Sequence, residues 1–156
     1  YRHQVNDFTF KCCVEKNVVS KNKIECNKKT PFSLYHIENL YYREDRVKKP
    51  FTKLKCIKIK KNMGWGDDPN NLKTYNKLIK IKKNIKCEKV FRKDYKYDLF
   101  IPIKYNFKRP KKSKGSCIFI HLTKNYKPTA GCIALKKKDF LILIKIINKK
   151  TKIKIN

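Results

Sequence analysis

Polar and apolar positions alternate along much of this chain. Residues 55–60, Lys-Cys-Ile-Lys-Ile-Lys, follow a period close to two, and residues 77–82, 99–104 and 151–155 do the same. A period of two puts alternate side chains on opposite faces, so these segments predict half-buried β-strands. Pro102 falls inside one of them and predicts an edge strand or a bulge there, because proline has no N–H to give a ladder. Residues 117–122 are almost continuously apolar and β-branched, which predicts a strand covered on both faces. One helix is expected near the C-terminus: Asp139 can cap or open it, and Phe140, Leu141, Leu143, Ile144 and Ile147 form a wide apolar stripe. Residues 62–70, 108–114 and 123–129 are expected to be loops. No internal repeat or boundary interrupts the pattern, so residues 1–156 are expected to form a single domain, long enough to bury its own core.

Composition changes this picture little. The hydrophobic share is 40%, enough for a globular fold despite a formal charge of +30. That charge makes nucleic acid the first partner to consider. However, the chain carries 37 lysines and only five arginines, spread along its whole length. Base-edge and phosphate readout favours the bidentate fork of arginine. Lys, Asn and Ile dominate together, as in a drift toward A- and T-rich codons. No specific nucleic-acid partner is therefore expected; electrostatic attraction to an anionic wall polymer or membrane surface is compatible with the charge. Seven cysteines, an odd number without a CxxC motif, do not read as a disulfide framework or a zinc ribbon. No stretch approaches the roughly 18 apolar residues of a membrane span. No signal peptide is visible, and the chain starts at Tyr1 instead of Met.

Candidate chemistry concentrates between residues 115 and 132. Only four glycines occur, and Gly115 and Gly131 bracket this segment. Three readings compete for Cys117, His121 and Cys132. Zinc ligation needs both ligand atoms within about 2.3 Å of the metal. On a strand, Cys117 and His121 would lie roughly 13 Å apart, at about 3.3 Å per residue. A purely structural reading makes the cysteines small buried hydrophobes and His121 a satisfied core residue. The third is a nucleophile with its base: Cys132 follows a glycine at a loop-to-core junction, and an imidazole lies within folding reach. There the thiolate does the chemistry, and backbone N–H groups at the turn can meet a developing oxyanion.

At these residues the chain resembles the YkuD-type L,D-transpeptidase catalytic domain. Ile120-His121, a short loop and Thr129-Ala130-Gly131-Cys132-Ile133 match the family's signature of His, variable loop and Ser/Thr-X-Gly-Cys. Gly64-Trp65-Gly66-Asp67-Asp68-Pro69, Tyr75-Asn76, Tyr97-Asp98-Leu99 and Gly115-Ser116-Cys117-Ile118-Phe119-Ile120-His121 resemble motifs of a compact bacterial branch, and Thr30-Pro31 is similar to its upstream substrate-side loop. The more familiar signature has His where Ala130 stands and Arg where Ala134 stands; the loop before Cys132 is shorter, and Phe32-Ser33 replaces an expected glycine. These departures leave nucleophile and base in place and bear on substrate recognition.

The resemblance implies a mainly β fold, a mixed β-sheet sandwich with one helix after the catalytic cysteine. It implies peptidoglycan L,D-transpeptidation in cell-wall biogenesis. Cys132 would be the nucleophile and His121 the base; Gly131 and Thr129 would form the oxyanion and substrate loop. Trp65, Asp67, Asp68, Tyr75 and Asn76 are candidate outer-site residues or, equally, a packed turn. Partners would be stem peptides, a donor tetrapeptide and an acceptor amine, acted on by a monomer with no cofactor and no metal. The function points to the periplasm or cell envelope, while the missing signal leaves the cytoplasm open. Alternatives are an L,D-carboxypeptidase or other cysteine hydrolase of cell-wall peptides, and a basic nucleic-acid or anionic-polymer binding protein.

Overall fold

The computed structural model describes residues 2–5, 8–13 and 33–155; Thr30-Pro31 and Cys26 lie outside the described residues. Among the described residues twelve strands and one α-helix occur in this order: β1 (Arg2–Val5), β2 (Phe8–Cys13), β3 (Ser33–His36), β4 (Leu40–Tyr42), β5 (Cys56–Lys58), β6 (Met63–Gly66), β7 (Leu78–Lys80), β8 (Cys87–Lys89), β9 (Leu99–Pro102), β10 (Phe119–Leu122), β11 (Ile133–Leu135), α1 (Lys137–Ile146) and β12 (Lys152–Ile155). The largest sheet has seven strands in the order β1-β2-β11-β10-β9-β4-β5. It is mixed: β10–β11 and β4–β5 pair in parallel, the other neighbours antiparallel. Two smaller sheets, β12-β3 and β7-β6-β8, accompany it. The fold is mainly β with one helix, as the sequence pattern predicts.

The period of two sorts the core into two layers. Leu40 and Tyr42 of β4, Leu99 and Ile101 of β9, Ile120 and Leu122 of β10, and Ile133 and Leu135 of β11 belong to one cluster with Phe140, Leu143 and Ile144 of α1. The alternate residues Tyr41, Phe100, Phe119 and Cys132 belong to another, with Trp65 of β6 and Tyr97. The central sheet is therefore apolar on both faces, aliphatic toward the helix and aromatic toward β6. All four residues of β10 are buried, which is why 117–122 reads as unbroken hydrophobicity.

Four details depart from the sequence pattern, the first being that β9, expected half-buried, is buried at all four positions. Pro102 ends a central strand, not an edge. Its carbonyl accepts the Glu38 N–H at 2.9 Å. In an antiparallel ladder the N and O of one residue face the same neighbour, so the missing N–H faces the segment just before β4, where only an acceptor is needed. Asp139 opens the helix from its first turn, where a carboxylate complements the helix dipole, but the N-cap is Lys136. Residues 63–66, expected in a loop, form the middle strand of the three-stranded sheet. The glycines there serve close approach: a Cβ on Gly66 would lie 2.0 Å from the Thr74 carbonyl oxygen.

Candidate active site

The β10–β11 pairing positions the chemistry. Ile120 pairs with Ile133 and His121 with Ala134 in parallel register. Cys132 extends that register by one step, opposite Phe119, whose N–H donates to Cys132 Sγ at 3.4 Å. Residues in register in a parallel pair point to the same face. Phe119, His121, Cys132 and Ala134 therefore share the aromatic face of the sheet. His121 sits diagonally from Cys132, with a Cα separation of roughly 8 Å from strand spacing and rise. Both side chains line one cleft of about 530 Å³.

His121 is 7% exposed. Its Nδ1 lies 3.0 Å from the Leu122 carbonyl oxygen. A carbonyl only accepts, so Nδ1 carries the proton and Nε2 keeps its lone pair. The Tyr97 ring packs edge-on, with centroids 5.6 Å apart. Burial pushes the imidazole down to about 4, the Lys96 and Arg92 cations add to the shift, and the Leu122 hydrogen bond opposes it. At neutral pH His121 is thus an uncharged base of fixed tautomer.

The Cys132 thiol donates to the Cys117 carbonyl at 3.2 Å. The thiol is therefore donor to one backbone group and acceptor from another, and a thiolate would keep only the bond from the Phe119 N–H. Cys117 takes a left-handed backbone, φ 56°, uncommon for a residue with a Cβ. Asn76 holds it there. Its Oδ1 accepts the Cys117 N–H at 3.2 Å and the Trp65 Nε1–H at 3.0 Å, while its Nδ2 donates to the Tyr105 and Asn106 carbonyls, both at 2.8 Å. On the other side, the Thr129 hydroxyl donates to the Cys132 carbonyl at 2.5 Å. Gly131 has φ 109°, a conformation that would strain any side chain. The turn into Cys132 is stapled by Thr129 and permitted by Gly131.

The structure thus brings Cys132, His121 and Thr129 to one cleft, with Gly131 in the chain between Thr129 and Cys132. Trp65, Asp67, Asp68, Tyr75 and Asn76 are not among the described residues that line it. Trp65 and Tyr75 are buried at 2% and 0% exposure, and the Tyr75 hydroxyl donates to the Lys112 carbonyl at 3.3 Å. Asp68 Oδ1 accepts the Asn70 N–H at 2.9 Å and closes a turn. Burial pushes the Asp67 carboxyl upward. Asn76 and Trp65 act on the site through Cys117, a positioning chain from the packed turn to the thiol.

The lining of the cleft also includes Arg92, Lys96 and Tyr97. Two arginines fix this segment. Arg43, 3% exposed, donates to the Arg92 carbonyl at 2.6 Å, lies 3.5 Å over the Phe91 ring and forks onto Asp45 at 2.7 and 2.8 Å. Arg46 donates to the Lys93 carbonyl at 2.9 Å and the Asp94 carbonyl at 3.0 Å. The hydrophobic pattern singles out neither arginine, nor the Leu122 carbonyl. A compositional signal does exist: in a chain with 37 lysines, arginine stands where a fork is needed.

No curated protein and no solved structure matches the chain. Among family models, YkuD, the L,D-transpeptidase catalytic domain, matches residues 1–155. The mainly β fold with mixed sheets agrees with that match. The chain belongs to the YkuD family of L,D-transpeptidase catalytic domains, a cysteine-dependent family that acts on peptidoglycan peptides.

Proposed function

We propose that this protein is a peptidoglycan L,D-transpeptidase of the cell envelope, with Cys132 as nucleophile and His121 as base. One observation carries the reading: the two side chains share a sheet face and a cleft, and His121 is tied through Nδ1 to Leu122 so that Nε2 is left for proton transfer. The same arrangement also serves a hydrolase, so the acceptor decides between them.

His121 Nε2 takes the thiol proton as Cys132 Sγ attacks the carbonyl of the third residue of a tetrapeptide stem, whose α-carbon is L-configured. The N–H groups at Gly131 and Cys132 meet the oxyanion. His121 then returns the proton to the departing D-alanine amine, leaving a thioester on Cys132. An amine of a second stem attacks the thioester and completes the cross-link, again giving its proton to His121. Water in place of the amine yields L,D-carboxypeptidase activity. The Phe119 N–H at 3.4 Å from Sγ favours the thiolate whenever Cys132 is the leaving group.

Purified protein incubated with tetrapeptide muropeptides should release D-alanine and form tetrapeptide–tripeptide dimers when an amine-bearing acceptor is present. D-alanine release with tripeptide alone, at every acceptor concentration, would reassign it as a carboxypeptidase. Turnover that persists undiminished in Cys132→Ala would overturn the mechanism.

A further inference from the structure

Ala134 is in register with His121 and lines the cleft with only a methyl group. An anionic group reaching this point must be met by charge from elsewhere in the wall. Two other cations line it: the Arg92 guanidinium is already committed to Asp94 at 2.7 Å and Glu88 at 3.0 Å, and Lys127 is carried by the loop that leads into Cys132. Lys96 differs. Among the described residues its ammonium has no hydrogen-bond or ion-pair partner, and its side chain lines the cleft.

Its backbone is also fixed beside the chemistry. The Leu122 N–H donates to the Lys96 carbonyl at 3.0 Å, one residue from His121, and the Lys96 N–H donates to Asp94 Oδ1 at 3.1 Å. Next along the chain, Tyr97 is packed into the aromatic layer against the His121 ring. Lys96 is therefore a backbone-tethered cation at the cleft; burial is the main cause of the depressed basicity of His121, the Lys96 charge adds to it, and that charge also reaches the Asp94 carboxylate.

We propose that Lys96 is the carboxylate anchor for the acyl donor, pairing with the terminal carboxylate of the D-alanine that leaves. This rests on the transpeptidase reading above. The terminal carboxylate lies one residue, about 4 Å, beyond the scissile carbonyl, so a cation on the His121 side of the cleft is where such a donor needs it. The cation would thus select stems that end in a free carboxylate, and release of D-alanine would remove the group it holds.

The test separates this inference from the mechanism. The Cys132→Ala protein is titrated calorimetrically with a tetrapeptide stem as the free acid and as its C-terminal carboxamide. The free acid should bind about tenfold more tightly, the scale of one charge-assisted pair. Adding Lys96→Gln should bring the two affinities together, and adding Lys96→Arg should keep the preference. Equal binding of acid and carboxamide by the Cys132→Ala protein, or an unchanged preference after Lys96→Gln, would overturn the anchor. A loss of affinity for both ligands alike would place the contact on another part of the stem and overturn it too. Thioester formation by the protein with Cys132 intact reports separately on the transpeptidase reading.

Discussion

At the scale of single residues, His121 ties stability to pH. Its folded-state pKa, about 4, lies below the ordinary 6.5, so between those values the unfolded chain binds the extra proton. Stability should be fully present above about pH 6.5 and be lost as the pH falls toward 4, by on the order of 3 kcal/mol from this group. Denaturant midpoints across pH 4–7 check this, and His121→Gln should flatten part of the slope. Asn76 offers a second test. Asn76→Ala removes the acceptor of both the Cys117 and Trp65 N–H groups. It should cost about 2–3 kcal/mol through the unsatisfied partners and slow acylation more than it raises KM, because the thiol loses its backing. Stopped-flow acylation with thermal melts would separate the two effects. That Cys132 and His121 meet at one cleft was legible in the sequence because a scarce glycine and an unbroken apolar run flank them. The Leu122 carbonyl was not, since every residue has a carbonyl and no side-chain pattern marks the one that meets Nδ1.

At the scale of elements, the strand pattern was legible wherever one face alternates with the other, as in β5, β7 and β12. It failed at β6, where Gly64 and Gly66 read as a turn. Strand identity there comes from contact: the backbone must pass so close to Thr74 that no Cβ fits. Gly66→Ala should therefore destabilise by about 3 kcal/mol, at the upper end of overpacking effects, seen as a lower urea midpoint at unchanged m-value. The segment 92–97 shows a second limit. Its position depends on Arg43 and Arg46 holding consecutive carbonyls from about fifty residues away, a relation no local period encodes. Arg43→Lys keeps the charge but loses the fork to Asp45 and should cost about 2 kcal/mol, while perturbing the Lys96 wall enough to raise KM for the donor.

At the scale of the whole molecule, the +30 charge works against compaction and toward anionic surfaces. The melting temperature should rise by several degrees between about 10 mM and 300 mM salt as self-repulsion is screened. Flat melting curves across that range would show that the charges are too dispersed to matter. Attraction to an anionic wall polymer should weaken over the same range and be indifferent to Cys132→Ala, which separates surface charge from catalysis. The two-layer core, aliphatic toward α1 and aromatic toward β6, explains why one sheet can be buried on both sides and still open a cleft at the β10–β11 end. The proposed chemistry requires this cleft to form a thioester on one particular cysteine among seven. Incubation with a tetrapeptide donor, acid quench and peptide mass spectrometry tests it most directly. The predicted result is a tripeptide acyl adduct, formed with loss of D-alanine, on the peptide containing Cys132, absent in Cys132→Ala, strongly reduced in His121→Ala and still formed in Cys117→Ala. An adduct on Cys117, or none on Cys132 while D-alanine is released, would contradict it.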